Sequence, residues 1–494
     1  MKDALNDMLH QPASELRGQL AEGRITSLAL VEASLERIAA LNDSLQAFIC
    51  VDAEGARAAA EARDREQRAG HTLGALHGLP VAVKDVTDAV GLPTTKGSRL
   101  FAYNRPERDE LSVARLKAAG AIVLGKTNTP EFAFGAVCTN HLCGPTANPW
   151  DLALSSGGSS GGSAVAVATG MVPLAQGTDF GGSVRTPAAF CGCVGLRPTP
   201  GTIAEPCRPR GWSMLSTQGV LARNVRDAAL MMSVMQGPHA DDPSSSRTMT
   251  DAYSQIEAST GALGASGVVR VAASLTLGGA YHVANPIGTA FSEAVERVAM
   301  LLGRVEWRHP DVSEGVAAFK TLRAAESWAT FGALVNAQEQ HLSASFAWNV
   351  RQGESISASQ YLHAENTRTT LYRRFQAFFS QVDLLVLPAT SVMPFPNTQD
   401  DVWEIDGHAC ESIIDYLACT FLVSLVGFPT VCLPVPREPG EPPVGIQLVA
   451  KPGKEHLLLQ AAMQLEAGGF HHQWPPCVSK PLTERGPYAI GDSS

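Results

Sequence analysis

Short apolar runs alternate with segments of helical periodicity along most of the chain, and that alternation restricts the fold more than any other feature. Thr26 and Ser27 are placed to cap a helix whose Leu28, Val31, Leu35 and Ile38 recur at three- and four-residue spacing. Residues 79–84 then read as a strand, 109–119 as a helix stopped by Gly120, and 121–124 as a second strand. Further strands are expected at 268–272, 305–307, 384–387, 430–433 and 444–449, with helices at 287–302 and 454–465. Strands interleaved with helices form a sheet covered on both faces, so an α/β fold is expected. A chain of 494 residues, 45% hydrophobic, has ample material for such a core. The clearest shift in composition, 237–267, is rich in Pro, Ser, Asp and Gly. Sheet-like segments flank it, so it reads as a surface excursion from a single domain spanning 1–494. Within that domain, 1–70 is a helical part, 71–236 a core holding the motifs described below, and 268–480 a second α/β half.

Charge and composition exclude several functions. The net charge is −10 and the lysines and arginines are scattered, so the chain lacks the basic stripe that nucleic acid requires. Residues 1–24 carry Asp3, Asp7 and Glu15 and have none of the form of a secretory signal. The longest apolar runs, such as 421–428, are too short to span a bilayer. Ten cysteines in so long a chain are too dilute for a disulfide framework. Cys191-Gly192-Cys193 has too short a gap for a zinc knuckle. These thiols are expected to be reduced and buried, in a cytoplasmic protein.

The most unusual stretch is Leu154-Ser155-Ser156-Gly157-Gly158-Ser159-Ser160-Gly161-Gly162-Ser163. A Gly/Ser run is ordinarily a flexible linker. Here Pro149-Trp150 precedes it and the small apolar run 164–168 follows directly, which suits a packed helix instead. Glycine beside serine lets backbone approach closely and lets a hydroxyl project into a crowded pocket. Downstream, Gly181-Gly182-Ser183 can form a tight turn whose N–H groups converge on one point, as needed to stabilise an oxyanion. Lys84 ends the apolar run Val81-Ala82-Val83. A lysine buried there loses its charge readily and becomes a competent base.

These three segments, in this order, resemble the amidase signature family. Supporting matches are Gly125-Lys126-Thr127-Asn128-Thr129-Pro130-Glu131-Phe132 and Gly144-Pro145-Thr146-Ala147-Asn148-Pro149-Trp150, joined by Cys191–Thr199 and Pro443-Val444-Gly445-Ile446-Gln447. The resemblance implies a mixed sheet of about eleven strands between helical layers. It implies that Ser183 is the acylated nucleophile, that Lys84 is the base, and that Ser159, in a cis peptide, relays the proton between them. The residues alone do not choose Ser159 over Ser160. Amides of Phe180, Gly181, Gly182 and Ser183 would form the oxyanion hole. Asp179 and Arg185 would brace the loop, with Ser160 and Ser156 adding hydrogen bonds. Amide hydrolysis would then run through an acyl-enzyme with no metal or organic cofactor, lysine taking the place that histidine holds in the serine protease triad.

By the same resemblance, Ala133, Phe134 and Gly135 within 133–138, Phe180, and the loop 390–395 should line the acyl pocket. Phe134, Val137, Val392, Met393 and Phe395 suggest a neutral aromatic or alkyl acyl group. The expected partner is a small-molecule amide, with no nucleic acid and no membrane; a homodimer is compatible. Two alternatives remain. One is the glutaminase subunit of a tRNA-dependent amidotransferase, which would need an acid near Tyr416–Leu422, where Asp415 is the nearest, and an arginine near Asn349-Val350-Arg351. The other is a non-catalytic relative serving as a binding module, which retention of Lys84, Ser159 and Ser183 opposes. Residues 120–127 match the phosphate-loop pattern literally, but their middle reads as a strand. His471-His472 has no partners at metal-ligand spacing and reads as surface.

Overall fold

The computed structural model describes residues 8–245 and 269–479, except 400, 413 and 439. Its strands are β1 (Phe48–Val51), β2 (Pro80–Lys84), β3 (Ile122–Thr127), β4 (Leu174–Asp179), β5 (Val194–Arg197), β6 (Thr217–Ala222), β7 (Val271–Ala273), β8 (Val305–Trp307), β9 (Leu384–Pro388), β10 (Glu404–Ile405), β11 (His408–Ala409), β12 (Thr430–Pro434) and β13 (Gly445–Ala450). Eleven of them form one mixed sheet in the order β1-β3-β2-β4-β6-β5-β12-β13-β9-β7-β8, and β10 and β11 pair separately. Strands from both sides of the 237–267 segment belong to this one sheet.

Side chains alternate across a strand, and the core follows that period. Val81, Leu174, Val220 and Val431 pack on one face beneath the helices Val225–Met235, Asn285–Leu302 and Glu455–Ala467. Ala82, Ala175 and Leu221 face the other way, against the helix Gly161–Ala168, every residue of which is buried. Lys84 shares the face of Ala82, two residues before it, and so lies under the start of that helix. The Gly/Ser run is therefore packed structure. A Cβ on Gly162 would stand 2.4 Å from both the Ala47 carbonyl oxygen and the Asn128 nitrogen, so only glycine lets the helix start seat this deeply. On the far half of the sheet, Leu385, Leu387 and Val449 pack against Phe319, Phe375 and Phe421, which come from the helices Gly315–Gln338, Ala358–Phe378 and Ala418–Val426.

β2 runs parallel to both β3 and β4, with Val81 opposite Leu174 and Val83 opposite Gln176. The carboxyl ends of β2 and β4 thus lie side by side, where open α/β sheets place ligands. Several elements differ from the sequence reading. β3 runs on from 124 to Thr127 because Lys126 and Thr127 are buried with polar partners. The strand expected at 268–272 is Val271–Ala273, and residue 268 lies outside the described residues. β1, β4, β5, β6, β10 and β11 have no counterpart in that reading. Of the excursion only 237–245 is described: there Asp242 accepts hydrogen bonds from the Glu205 and Ser244 amides. Among the described residues no helix is long and apolar enough to cross a membrane.

Candidate active site

Lys84 is fully buried, and its Nζ stands 2.7 Å from Ser159 Oγ, 2.9 Å from Ser160 Oγ and 2.9 Å from Thr178 Oγ1. Burial pushes its ammonium down to about 7, with Cys138 and Asp179 opposing the shift. The Gly158–Ser159 peptide bond is cis. The two adjacent serines differ in direction. Ser159 lines the cavity described below, whereas Ser160, at the N-cap position of the helix, turns its hydroxyl to the Thr178 carbonyl at 3.3 Å and donates its amide to the Ser183 carbonyl at 3.0 Å.

Asp179, at the end of β4, organises the loop that follows. Its carboxylate accepts from the amides of Gly182 (2.9 Å) and Val184 (3.1 Å) and from Arg185 Nε and Nη2 at 3.0 and 2.9 Å. Arg197 Nε adds a contact at 3.3 Å. Burial alone would raise this carboxyl, but the two guanidiniums outweigh it and hold Asp179 well below the usual carboxylate range. Arg185 in turn donates to the Thr420 carbonyl at 2.9 Å and to Gln447 Oε1 at 3.0 Å, which ties the loop to the C-terminal half. Gly182 has φ +132°, and a Cβ there would strike Thr420 Oγ1 at 2.4 Å.

These bonds amend the expected oxyanion hole. The Gly182 amide is taken by Asp179 and is not available. The amides of Phe180, Gly181 and Ser183 donate to no described residue. Ser183's hydroxyl likewise has no hydrogen-bond partner among the described residues, Ser159 included.

Ser159, Ser183 and Thr178 open on a cavity of about 170 Å3. Ala133, Phe134, Gly135 and Phe180 line it as expected. The loop 390–395 does not: Phe395 packs between Phe190 and Tyr416, and its carbonyl accepts from the Ser155 amide. In its place stand Phe319, Arg323 and Ser327 of one helix, with Ile414, Leu417 and Phe421. No spacing signal marked these residues, because they reach the site from elements far along the chain.

Other singled-out residues also fall into place. Ser156 donates to the Thr146 carbonyl, away from the cavity, and Ser163 packs inside the helix by donating to the Gln176 carbonyl at 2.9 Å. Lys126, in the phosphate-loop pattern, is buried in β3 and donates to the Thr87 carbonyl and Thr94 Oγ1, with Asp85 at 3.6 Å. Cys191 and Cys193 are buried, as are Cys138, Cys419 and Cys432, but Cys207 is exposed and the other four are partly so. His471 is exposed, whereas His472 is partly buried: it packs against Trp474, its Nδ1 lies 2.8 Å from the Gly192 carbonyl, and burial pushes it down to about 3. Asp415 is paired with Lys320 at 2.8 Å, and Arg351 with Glu339; neither lines the cavity.

A mixed sheet of this size, with its cavity at the ends of parallel strands, is the architecture of a class of α/β hydrolases that act on amide bonds. The family profile described as Amidase matches residues 29–459, and the chain belongs to that family, the amidase signature hydrolases. It is 35% identical to a glutamyl-tRNA(Gln) amidotransferase subunit of Salinispora arenicola, over 94% of this chain and 98% of that one. It is 32% identical to an acylamidase of Rhodococcus erythropolis, over 92% of this chain and 94% of the relative. The crystal structure of a bacterial aryl acylamidase superposes with a TM-score of 0.87 at 27% identity, covering 95% of this chain and 99% of that chain.

Proposed function

We propose that the chain hydrolyses a small carboxamide, anilide or acyl-amine through an acyl-enzyme on Ser183, with Ser159 as relay and Lys84 as base. The observation that carries this is a buried lysine, pushed down to about 7, within 2.7 Å of one serine in the cavity that a second serine lines. A neutral amine offers two N–H donors and one lone pair. Ser160 directs its own proton to the Thr178 carbonyl, so its oxygen accepts from Lys84. With Thr178 Oγ1 accepting the other N–H, the lone pair is left for the Ser159 proton.

As Ser183 Oγ attacks the carbonyl carbon, its proton passes to Ser159 and that of Ser159 to Lys84. The carbonyl oxygen takes the negative charge and accepts from the free amides of Phe180, Gly181 and Ser183. Collapse of the intermediate breaks the C–N bond, and the relayed proton leaves with the amine. Water then attacks the acyl carbon by the same relay in reverse and releases the acid and Ser183. Ser159 and Ser183 both open on the cavity, and a hydrogen bond between such catalytic groups tightens as substrate binds.

The rings of Phe132, Phe134, Phe180, Phe319 and Phe421 suit an aromatic or alkyl group beside the scissile bond. A cavity of about 170 Å3 is of the order that holds one benzene-sized ring. Free thiols throughout suit a cytoplasmic setting. Likeness to an amidotransferase component favours a second reading, glutaminase within a complex. Against it, no carboxylate among the described residues lines the cavity to hold the glutamine ammonium, and Asp415 is engaged by Lys320. Ammonia or amine release from a panel of aryl and alkyl amides tests the proposal. Turnover by the chain alone, abolished in Ser183→Ala, is the expected result; glutamine hydrolysis only with added partner proteins would overturn it.

A further inference from the structure

Away from Ser159, Thr178 and Ser183 the cavity wall is mainly aromatic and aliphatic, and it carries one charge. Phe319, Arg323 and Ser327 stand at successive four-residue steps on the helix Gly315–Gln338 and so present one stripe to it. Arg323 is the single charged side chain among the described lining residues. Its guanidinium forms no ion pair or hydrogen bond among the described residues and packs over the Phe134 ring, 5.3 Å from the centroid. Burial pushes it down to about 10, with Asp401 opposing, so it is a cation at neutral pH. The acids of the adjoining vestibule do not neutralise it by direct pairing. Glu326 accepts from Ser213 Oγ at 2.8 Å and pairs with Arg210 at 3.4 Å, and Glu205 is paired with Arg208. Asp401, itself buried, acts on Arg323 through its charge, but no carboxylate is bonded to the guanidinium among the described residues. A guanidinium in apolar surroundings without a hydrogen-bonded anion is costly, and a planar fork of N–H donors matches a carboxylate.

Position gives the spacing. Phe319 borders the nucleophile loop, with its Cζ 3.0 Å from where a Gly181 Cβ would stand. Arg323 is four residues further on, about 6 Å along the helix axis. We infer that the amide substrate carries a carboxylate, held by Arg323 and separated from the scissile bond by an apolar spacer about the length of one aromatic ring. This rests on the amidase reading above and narrows it, setting the anionic group beyond the apolar part expected from sequence.

The test compares 4-carboxybenzamide with its neutral isostere 4-acetylbenzamide, each hydrolysed with water to the acid and ammonia. The wild-type chain is expected to favour the carboxylated amide in kcat/KM by about 10- to 100-fold, the range of a charged hydrogen-bonded contact. In Arg323→Met the ratio should fall to within about threefold of one, and Arg323→Lys should restore part of it. A wild-type ratio near or below one, or a ratio kept in Arg323→Met, overturns the inference. Calorimetric binding to Ser183→Ala separates it from the amidase reading. If neither amide is hydrolysed but the carboxylated one binds at least about tenfold more tightly, and Arg323→Met in that background removes the difference, the anion site stands and the hydrolytic reading fails. Equal binding of the two amides overturns the anion site itself.

Discussion

A lysine that ends a buried strand pays for its position with its charge, and Lys84 shows what that exchange makes available. In the proposed mechanism its neutral form is the proton acceptor, so activity should follow its deprotonation. Below a pH of about 7, kcat/KM is expected to rise about tenfold per pH unit and to level above it, because raising the pH empties the ammonium that burial already disfavours. Lys84→Ala should lose about a thousandfold or more in kcat and lose this inflection. An inflection that survives the substitution would remove lysine from the base role. Lys84 and Ser183 were legible in the sequence because each sits where its residue type is out of place: a cation ending an apolar run, a serine behind two glycines. Ser159 was not separable from Ser160, since neighbours in a Gly/Ser run have the same composition around them. Only the backbone shows that one hydroxyl enters the cavity and the other turns back to Thr178. Arg323, Phe319 and Phe421 carried no signal, because nothing local distinguishes a cavity-facing residue of a distant helix from a core one.

Among elements, most apolar strands were readable, although the four-residue β1 (Phe48–Val51) was not, and polar buried ones were not. β4, Leu174–Asp179, contains Gln176, Gly177, Thr178 and Asp179, a composition that reads as loop. It is a strand because its polar groups are satisfied inside the protein. Gln176 Nε2 donates to Thr87 Oγ1 at 3.0 Å and to Gln218 Oε1 at 2.7 Å, and its Oε1 accepts from the Lys84 amide at 3.1 Å. That network also locks β2 to β4 and so fixes Lys84 beside the loop that carries Ser183. The helix Gly161–Ala168 depends instead on missing side chains. Gly162→Ala would drive a methyl into the backbone of Ala47 and Asn128, which cannot move aside as a flexible side chain would. A loss of about 1–3 kcal/mol is expected in urea unfolding. An unchanged urea midpoint would show that the helix start is not tightly seated.

At the scale of the molecule, the alternation of strands and helices correctly indicated a covered α/β sheet, and its mixed pairing order came from the resemblance and the structure. Long-range pairing of β5 with β12 and of β13 with β9 has no local signature. The two halves meet at the site through Arg185, which joins Asp179 to Thr420 and Gln447. Arg185→Met should therefore destabilise the whole fold by about 3–5 kcal/mol, since it strands a buried carboxylate. A loss below about 1 kcal/mol in denaturant unfolding would mean that Arg197 alone compensates Asp179. The central claim, that Ser183 is the nucleophile served by Lys84 through Ser159, is tested most directly by mapping a fluorophosphonate adduct by peptide mass spectrometry. The phosphonyl group is expected on Ser183, with fluoride released, strongly slowed labelling in Lys84→Ala, and none in Ser183→Ala. An adduct on another residue, or labelling that persists unchanged in Ser183→Ala, would contradict it.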